Sequence, residues 1–385
     1  MRRLASIDVF RSFIMFLMIF VNDLWTLENV PNWLQHTSAR EDGMGLSDIV
    51  FPAFLFIVGL SIPLAIAGRI KKGQSEKTVL AHILLRAVAL IIMGFFHVNL
   101  ENYSVAAWLP RPLWQILLTI SFFLIWLDYP PHNARSKKWI LQATGIGLLI
   151  FLALVYKGGP ASQPEALQPH WWGILGLIGW AYLPAALLFV LTKGRIAATS
   201  IALLFFLLFN IATQAGWLSF LQPLRSYIWI AGDGSFAALV MAGVLAAQLY
   251  SSREGIIARL MLLSVAFIGI GFALRSYFII SKILATPSWT MICAGISLAC
   301  FALFIYVADI KKKEHWFTLI RPAGTSTLTA YLIPYLHYAV YSIIGISLPV
   351  MLRTGFTGIV KSLVYAFIII LITGVLEKWR LRLKI

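Results

Sequence analysis

Long apolar runs separated by short polar stretches set the pattern of this chain. About twelve of them lie near residues 9–27, 48–68, 79–99, 112–128, 139–156, 171–192, 196–216, 227–250, 256–274, 287–308, 324–346 and 358–377. Crossing a hydrocarbon core of ~30 Å takes about 20 apolar residues in a helix, and most runs reach that length. The runs are continuous and lack the apolar–polar alternation of a membrane β-barrel. Backbone groups in lipid must bond within their own segment, so the runs predict helices. The expected fold is an all-α, polytopic membrane bundle of about twelve transmembrane helices. The first run holds Asp8 and Arg11 near its start and no small-residue cleavage site. It is therefore expected to remain as a span.

Composition supports this class. The chain has 385 residues, 60% hydrophobic and 12% charged. A soluble domain carries about twice that charge. The formal net charge of +16 would suggest nucleic acid in a soluble protein. Here the basic residues cluster at run ends, such as Arg69, Lys71 and Lys72, or Lys311, Lys312 and Lys313. That placement points to membrane orientation and to no nucleic-acid partner. With the N-terminus inside, about three in four Lys and Arg fall on the inner side, which favours both termini in the cytoplasm. The loop between the first two runs then faces outward, toward the periplasm if the bilayer is a bacterial inner membrane. Cys293 and Cys300 share one apolar run and read as packing residues, not a disulfide or metal pair.

Candidate chemistry concentrates at the first inter-run loop. Asn22 ends the first run, the loop carries Trp33 and His36, and Asp48 opens the second run. Histidine is the side chain best suited to proton transfer near neutral pH. Asp48 would either orient that ring or only cap its helix. Asp8 and Arg11 are three apart and share a helix face. Arg86 lies seven residues into the third run. Charged groups inside spans are costly and often functional.

The run RLASIDVFRSFIMFLMIFVN (3–22), then His36, then GLSDIVFPAFLFIVGLSI (45–62) resembles the heparan-α-glucosaminide N-acetyltransferase family and its bacterial relatives. Ser12 stands where the family usually has Gly. The resemblance covers the first quarter of the chain. It implies an acetyltransferase moving acetyl from cytoplasmic acetyl-CoA to an extracytoplasmic amino sugar or glycan, without a metal. His36 takes the place of the family's active-site histidine and Asn22 that of a nearby asparagine. In this frame His36 is general base or acetyl carrier, Asp48 fixes its tautomer, and Asn22 donates to the thioester oxyanion. Arg11, Arg86 and Arg321 would meet the phosphates of CoA, with Ser326 in a Thr-Ser-Thr stretch at a helix start. Gln115 keeps a family position, although the Arg that follows it in relatives is Ile116 here.

Trp33 would stack on the acceptor sugar or anchor the interface. Asp233, in a Gly-Asp-Gly triplet expected in the outer part of the eighth helix, would touch substrate or cap. The family domain has about ten spans. The chain is thus expected to form a single integral-membrane acyltransferase-like domain over 1–385, with an extra hairpin near 171–216 serving packing or homodimer formation. The alternative is a proton-coupled transporter or flippase, which even termini and embedded Asp, Arg and His also suit.

Overall fold

The computed structural model describes residues 4–130, 135–230, 232–250 and 255–385. Arg3, the first residue of the family-like run, lies outside the described residues, as do the basic Arg2 and Arg253. Among the described residues the fold is all helical, with only isolated bridge pairs and no strand. The long helices are α1 (Ala5–Asp23), α2 (Ser47–Lys71), α3 (Glu76–Asn99), α4 (Arg111–Trp126), α5 (Arg135–Val155) and α6 (Ile174–Leu191). They continue with α7 (Ile196–Gln214), α8 (Ser235–Tyr250), α9 (Ile256–Leu274), α10 (Pro287–Phe304), α11 (Thr327–Ile344) and α12 (Gly355–Lys378).

Each expected run therefore contains one helix. Among the described residues, nine helices are long and apolar enough to cross a membrane, while α4 and α8 are shorter apolar helices. The chain is an integral membrane protein with a polytopic helical bundle. The eighth helix is shorter than its expected run of 227–250. It begins at Ser235, and Asp233 sits in the preceding turn, where Gly232 (φ +55°) and Gly234 (φ +89°) adopt left-handed backbone. Such φ values favour glycine and end the helix pattern on its N-terminal side.

Apolar surface between helices gains little in lipid, so close backbone approach has to hold them. Gly59 on α2 and Gly243 on α8 face each other. A Cβ at Gly59 would lie 1.9 Å from the Val240 carbonyl oxygen, and one at Gly243 the same distance from that of Phe56. Gly243 and the small residues Ala246 and Ala247 that follow it on α8 are all buried. Gly94 on α3 and Gly176 on α6 make a second seam of the same kind. Helix α6, the first arm of the expected extra hairpin, therefore packs along α3.

Helix α1 runs through the middle of the bundle against α2, α10, α11 and α12. Its Ser12 hydroxyl donates to the Asp8 carbonyl at 2.8 Å. The same hydroxyl abuts Gly324 of the short helix Arg321–Thr325, where a Cβ would come within 2.2 Å of it.

Candidate active site

The loop between α1 and α2 is fixed before its histidine is placed. Leu46 N–H donates to the Trp33 carbonyl at 2.7 Å, and the Ser47 hydroxyl donates to that of Leu34 at 2.5 Å. Gly45 passes so close to Gln35 that a Cβ there would sit 2.0 Å from the Gln35 carbonyl oxygen. The loop also docks on the 275–286 loop that precedes α10. Asp42 accepts from Arg275 Nε and from the Ile280 N–H, both at 2.8 Å. These donors hold the Asp42 carboxyl below its usual range, the backbone N–H of Ile280 foremost.

His36 and Asp48 meet within this frame. His36 Nδ1 lies 2.7 Å from Asp48 Oδ1. Asp48 Oδ2 accepts the N–H groups of Thr37 and Gly45, each at 3.0 Å. The carboxylate side chain is 1% exposed and the imidazole 50%. A carboxylate with three donors is locked, and it holds Nδ1 as the protonated nitrogen. Nε2 is then left with its lone pair for chemistry.

A residue that the sequence did not single out completes the cluster. Lys282 Nζ is 3.1 Å from Nδ1 and 3.3 Å from Nε2 of His36. Nearly equidistant from the two nitrogens, the ammonium lies against the ring as a neighbouring cation and leaves the in-plane lone pair of Nε2 open. Burial pushes the Lys282 amine down to about 8, so it changes charge just above neutral pH. In the sequence Lys282 is one basic residue in an outer loop, and nothing in its neighbours signals His36, 246 positions away.

Asn22 does not join this hydrogen-bonded set. Its side chain is exposed at the end of α1 and bonds to neither His36 nor Asp48. Trp33 is 67% exposed, next to a backbone that only braces the loop. The buried polar residue at the end of α1 is Asp23, which gathers Tyr338, Lys361 and Ser362. Two further histidines have other surroundings. His97 is buried, with its ring stacked 4.2 Å from that of Tyr335 and both nitrogens without a partner among the described residues. His337 lies among Tyr338, Tyr341 and Tyr365.

A cavity of about 780 Å³ opens inward of this site. It follows α1 from Leu4 to Met18, roughly 20 Å at ~1.5 Å per residue. Its outermost α2 residue is Phe54, roughly 9 Å of helix rise from Asp48. Arg11 and Arg86 both line it. Arg11 Nη2 donates to Ser61 Oγ at 2.7 Å and pairs with Asp8 at 3.5 Å. The Arg86 guanidinium lies 5.2 Å above the Tyr182 ring of α6. Three other expected residues lie off its wall. Arg321 is exposed, Ser326 is buried with its hydroxyl unpartnered among the described residues, and Gln115 donates to the Tyr335 carbonyl at 2.7 Å. Thr325 and Thr327, the neighbours of Ser326, line the cavity instead. Asp233 lines a second cavity, described below.

Residues 3–107 match the family model for heparan-alpha-glucosaminide N-acetyltransferase, catalytic. Over 105 residues the chain is 36% identical to heparan-alpha-glucosaminide N-acetyltransferase of Homo sapiens and 35% identical to that of Mus musculus. Each match takes in 26% of this chain and 14% of the relative's length. The matched stretch contains α1 to α3, the His36–Asp48 pair, Arg11 and Arg86.

Proposed function

We propose that this chain, a relative of the heparan-alpha-glucosaminide N-acetyltransferases over residues 3–107, is a transmembrane acetyltransferase. It takes acetyl from cytoplasmic acetyl-CoA and delivers it to an amino sugar or glycan on the outer side. The observation that carries this reading is the shared scaffold. One pair of helices, α1 and α2, bears the His36–Asp48 pair at one end and lines an inward cavity with two arginines. That cavity is within the size range of cofactor pockets. Arg11 and Arg86 suit phosphate, as forked donors in a partly desolvated site do.

In the transfer, the acceptor nitrogen or oxygen attacks the thioester carbonyl carbon while its proton passes to His36 Nε2. The C–S bond breaks and the CoA thiolate leaves through the cavity, taking up a proton. Asp48 keeps Nδ1 protonated and orients the ring, and stabilises the imidazolium that forms. The Lys282 ammonium, at 3.3 Å from Nε2, is close enough to favour the negative charge that grows on the carbonyl oxygen. Asn22 would add an oxyanion contact only with a substrate bound beside it.

Purified protein given radiolabelled acetyl-CoA and a panel of amino sugars should yield acetylated sugar. No labelled product with any acceptor would favour the transporter reading. Arg11→Ala and Arg86→Ala should each weaken CoA binding about ten-fold, the effect of losing one charge-assisted contact of about 1.4 kcal/mol. Unchanged calorimetric affinity in folded protein would assign both arginines to helix packing.

We place the site in a bacterial inner membrane with both termini inside and the His36 loop facing the periplasm. A cysteine introduced by Thr37→Cys should react with a membrane-impermeant thiol reagent in intact cells. Reaction only after lysis would invert the orientation, and with it the direction of transfer.

A further inference from the structure

A second cavity, of about 560 Å³, lies on the far side of the loop that carries Lys282. Lys282 reaches His36, whereas Ile283 and Ala285, one and three residues on, line this cavity. The loop is held in place from behind. Asn210 Nδ2 donates to the carbonyls of Asp233 and Ala285, at 2.9 and 3.0 Å. One buried side chain therefore clamps the Asp233 turn to the Lys282 loop. The cavity and the His36 cluster are two sides of one braced wall at the same end of the bundle.

Its lining is aromatic with polar edges. Trp171, Trp172, Tyr227 and Trp229 contribute rings. Trp172 packs against His170, itself a lining residue, with ring centroids 4.3 Å apart and the planes tilted by 31°, and its indole N–H donates to Glu101 Oε2 at 2.9 Å. These two contacts fix the indole at the rim. Asp233 and Arg225 supply polar groups. Arg225 is braced by Thr213 Oγ1 at 2.9 Å. Burial pushes the Asp233 carboxyl up to about 7, so near neutral pH it both donates and accepts hydrogen bonds. Fixed indole faces beside such groups match a ring with apolar C–H faces and a hydroxyl rim.

We propose that this cavity is a glycan subsite, which holds a pyranose ring next to the unit being acetylated. This rests on the acetyltransferase reading and deepens it: the acceptor is then an oligosaccharide or glycan chain, not a free monosaccharide. One sugar unit lies at His36 and its neighbour crosses the Lys282 loop to stack on Trp172. None of the residues 168–233 that build the subsite's rim falls within the stretch matched to the acetyltransferase family.

The test reads binding without turnover. Tetramers of β-linked glucose, glucosamine and N-acetylglucosamine are titrated calorimetrically into the detergent-solubilised full chain. At least one tetramer should bind, and its monosaccharide at least ten-fold more weakly. Trp172→Ala and Asp233→Ala should each weaken the tetramer about ten-fold. Two variants guard against a folding failure in one, and each is checked by its thermal transition. No binding of any tetramer, or equal affinity in wild type and in both folded variants, would overturn the subsite. Tetramer binding that depends on Trp172, in a protein that acetylates nothing, would uphold the subsite and refute the transferase.

Discussion

His36→Ala should lower acetyl transfer at least a hundred-fold while leaving CoA binding and the fold nearly intact. The imidazole is half exposed in the loop between α1 and α2 and fills no core space. Its loss removes proton transfer, which is worth about 10²–10⁴ in rate. Asp48→Asn should cost less if the carboxylate only orients the ring. It cannot be free of cost, because Oδ2 also holds the Thr37 and Gly45 N–H groups. Lys282 adds a pH limb. Below about pH 8 its ammonium stands beside Nε2 and favours the negative charge that grows on the carbonyl oxygen. Above that pH the amine is neutral and this support is lost. Activity should therefore fall as pH rises through about 8, and Lys282→Met should be slower throughout and lack that fall. Mass spectrometry after incubation with acetyl-CoA alone separates the routes: an acetylated His36 peptide marks a carrier, and its absence with full activity marks direct attack. If His36→Ala keeps most of the activity, the assignment fails and His97 and His337 take its place for testing.

How much of this could be read from sequence depends on chain separation. The helices were legible because each is a continuous apolar run, and lipid leaves the backbone no alternative. The His36–Asp48 contact was legible because both residues flank one short connection, twelve positions apart. Lys282 was not, since its partner is set by tertiary docking of two loops through Asp42 and Arg275. Asp233 stands out in the sequence for its two glycines, yet the apolar run extends the expected helix over it. Those glycines take left-handed backbone, which the apolar run downstream conceals. In the Thr-Ser-Thr stretch the sequence points to Ser326. Only the helix rotation decides which hydroxyl faces the cavity, and the flanking threonines do. At the end of α1 the resemblance points to Asn22, yet the adjacent Asp23 is the residue turned inward. A boundary Asn-Asp pair does not reveal which of its members is buried.

Asp23→Ala should be the most destabilising single change at the His36 end of the bundle. The Asp23 side chain is 3% exposed and its carboxylate accepts three hydrogen bonds. Tyr338 donates to Oδ1 at 2.6 Å, and Lys361 and Ser362 donate to Oδ2, each at 2.6 Å. Lys361 also reaches Thr26 Oγ1 at 2.8 Å. One carboxylate thus ties α1 to α11 and α12. Removing it strands the Lys361 ammonium, whose side chain is 18% exposed, and two hydroxyls. Breaking a buried pair from one side costs about 3–5 kcal/mol, mostly as the penalty of the orphaned charge. The double variant Asp23→Leu/Lys361→Met removes both charges and should recover much of the loss, because the pair itself gains little once desolvation is subtracted. Unfolding of a membrane protein is commonly irreversible, so the measurement is the half-life in detergent at one elevated temperature. A wild-type half-life for Asp23→Ala would show that the network is not needed to hold the helices. A double variant as short-lived as the single would put the loss on the missing acceptor for Tyr338 and Ser362, and not on the stranded charge.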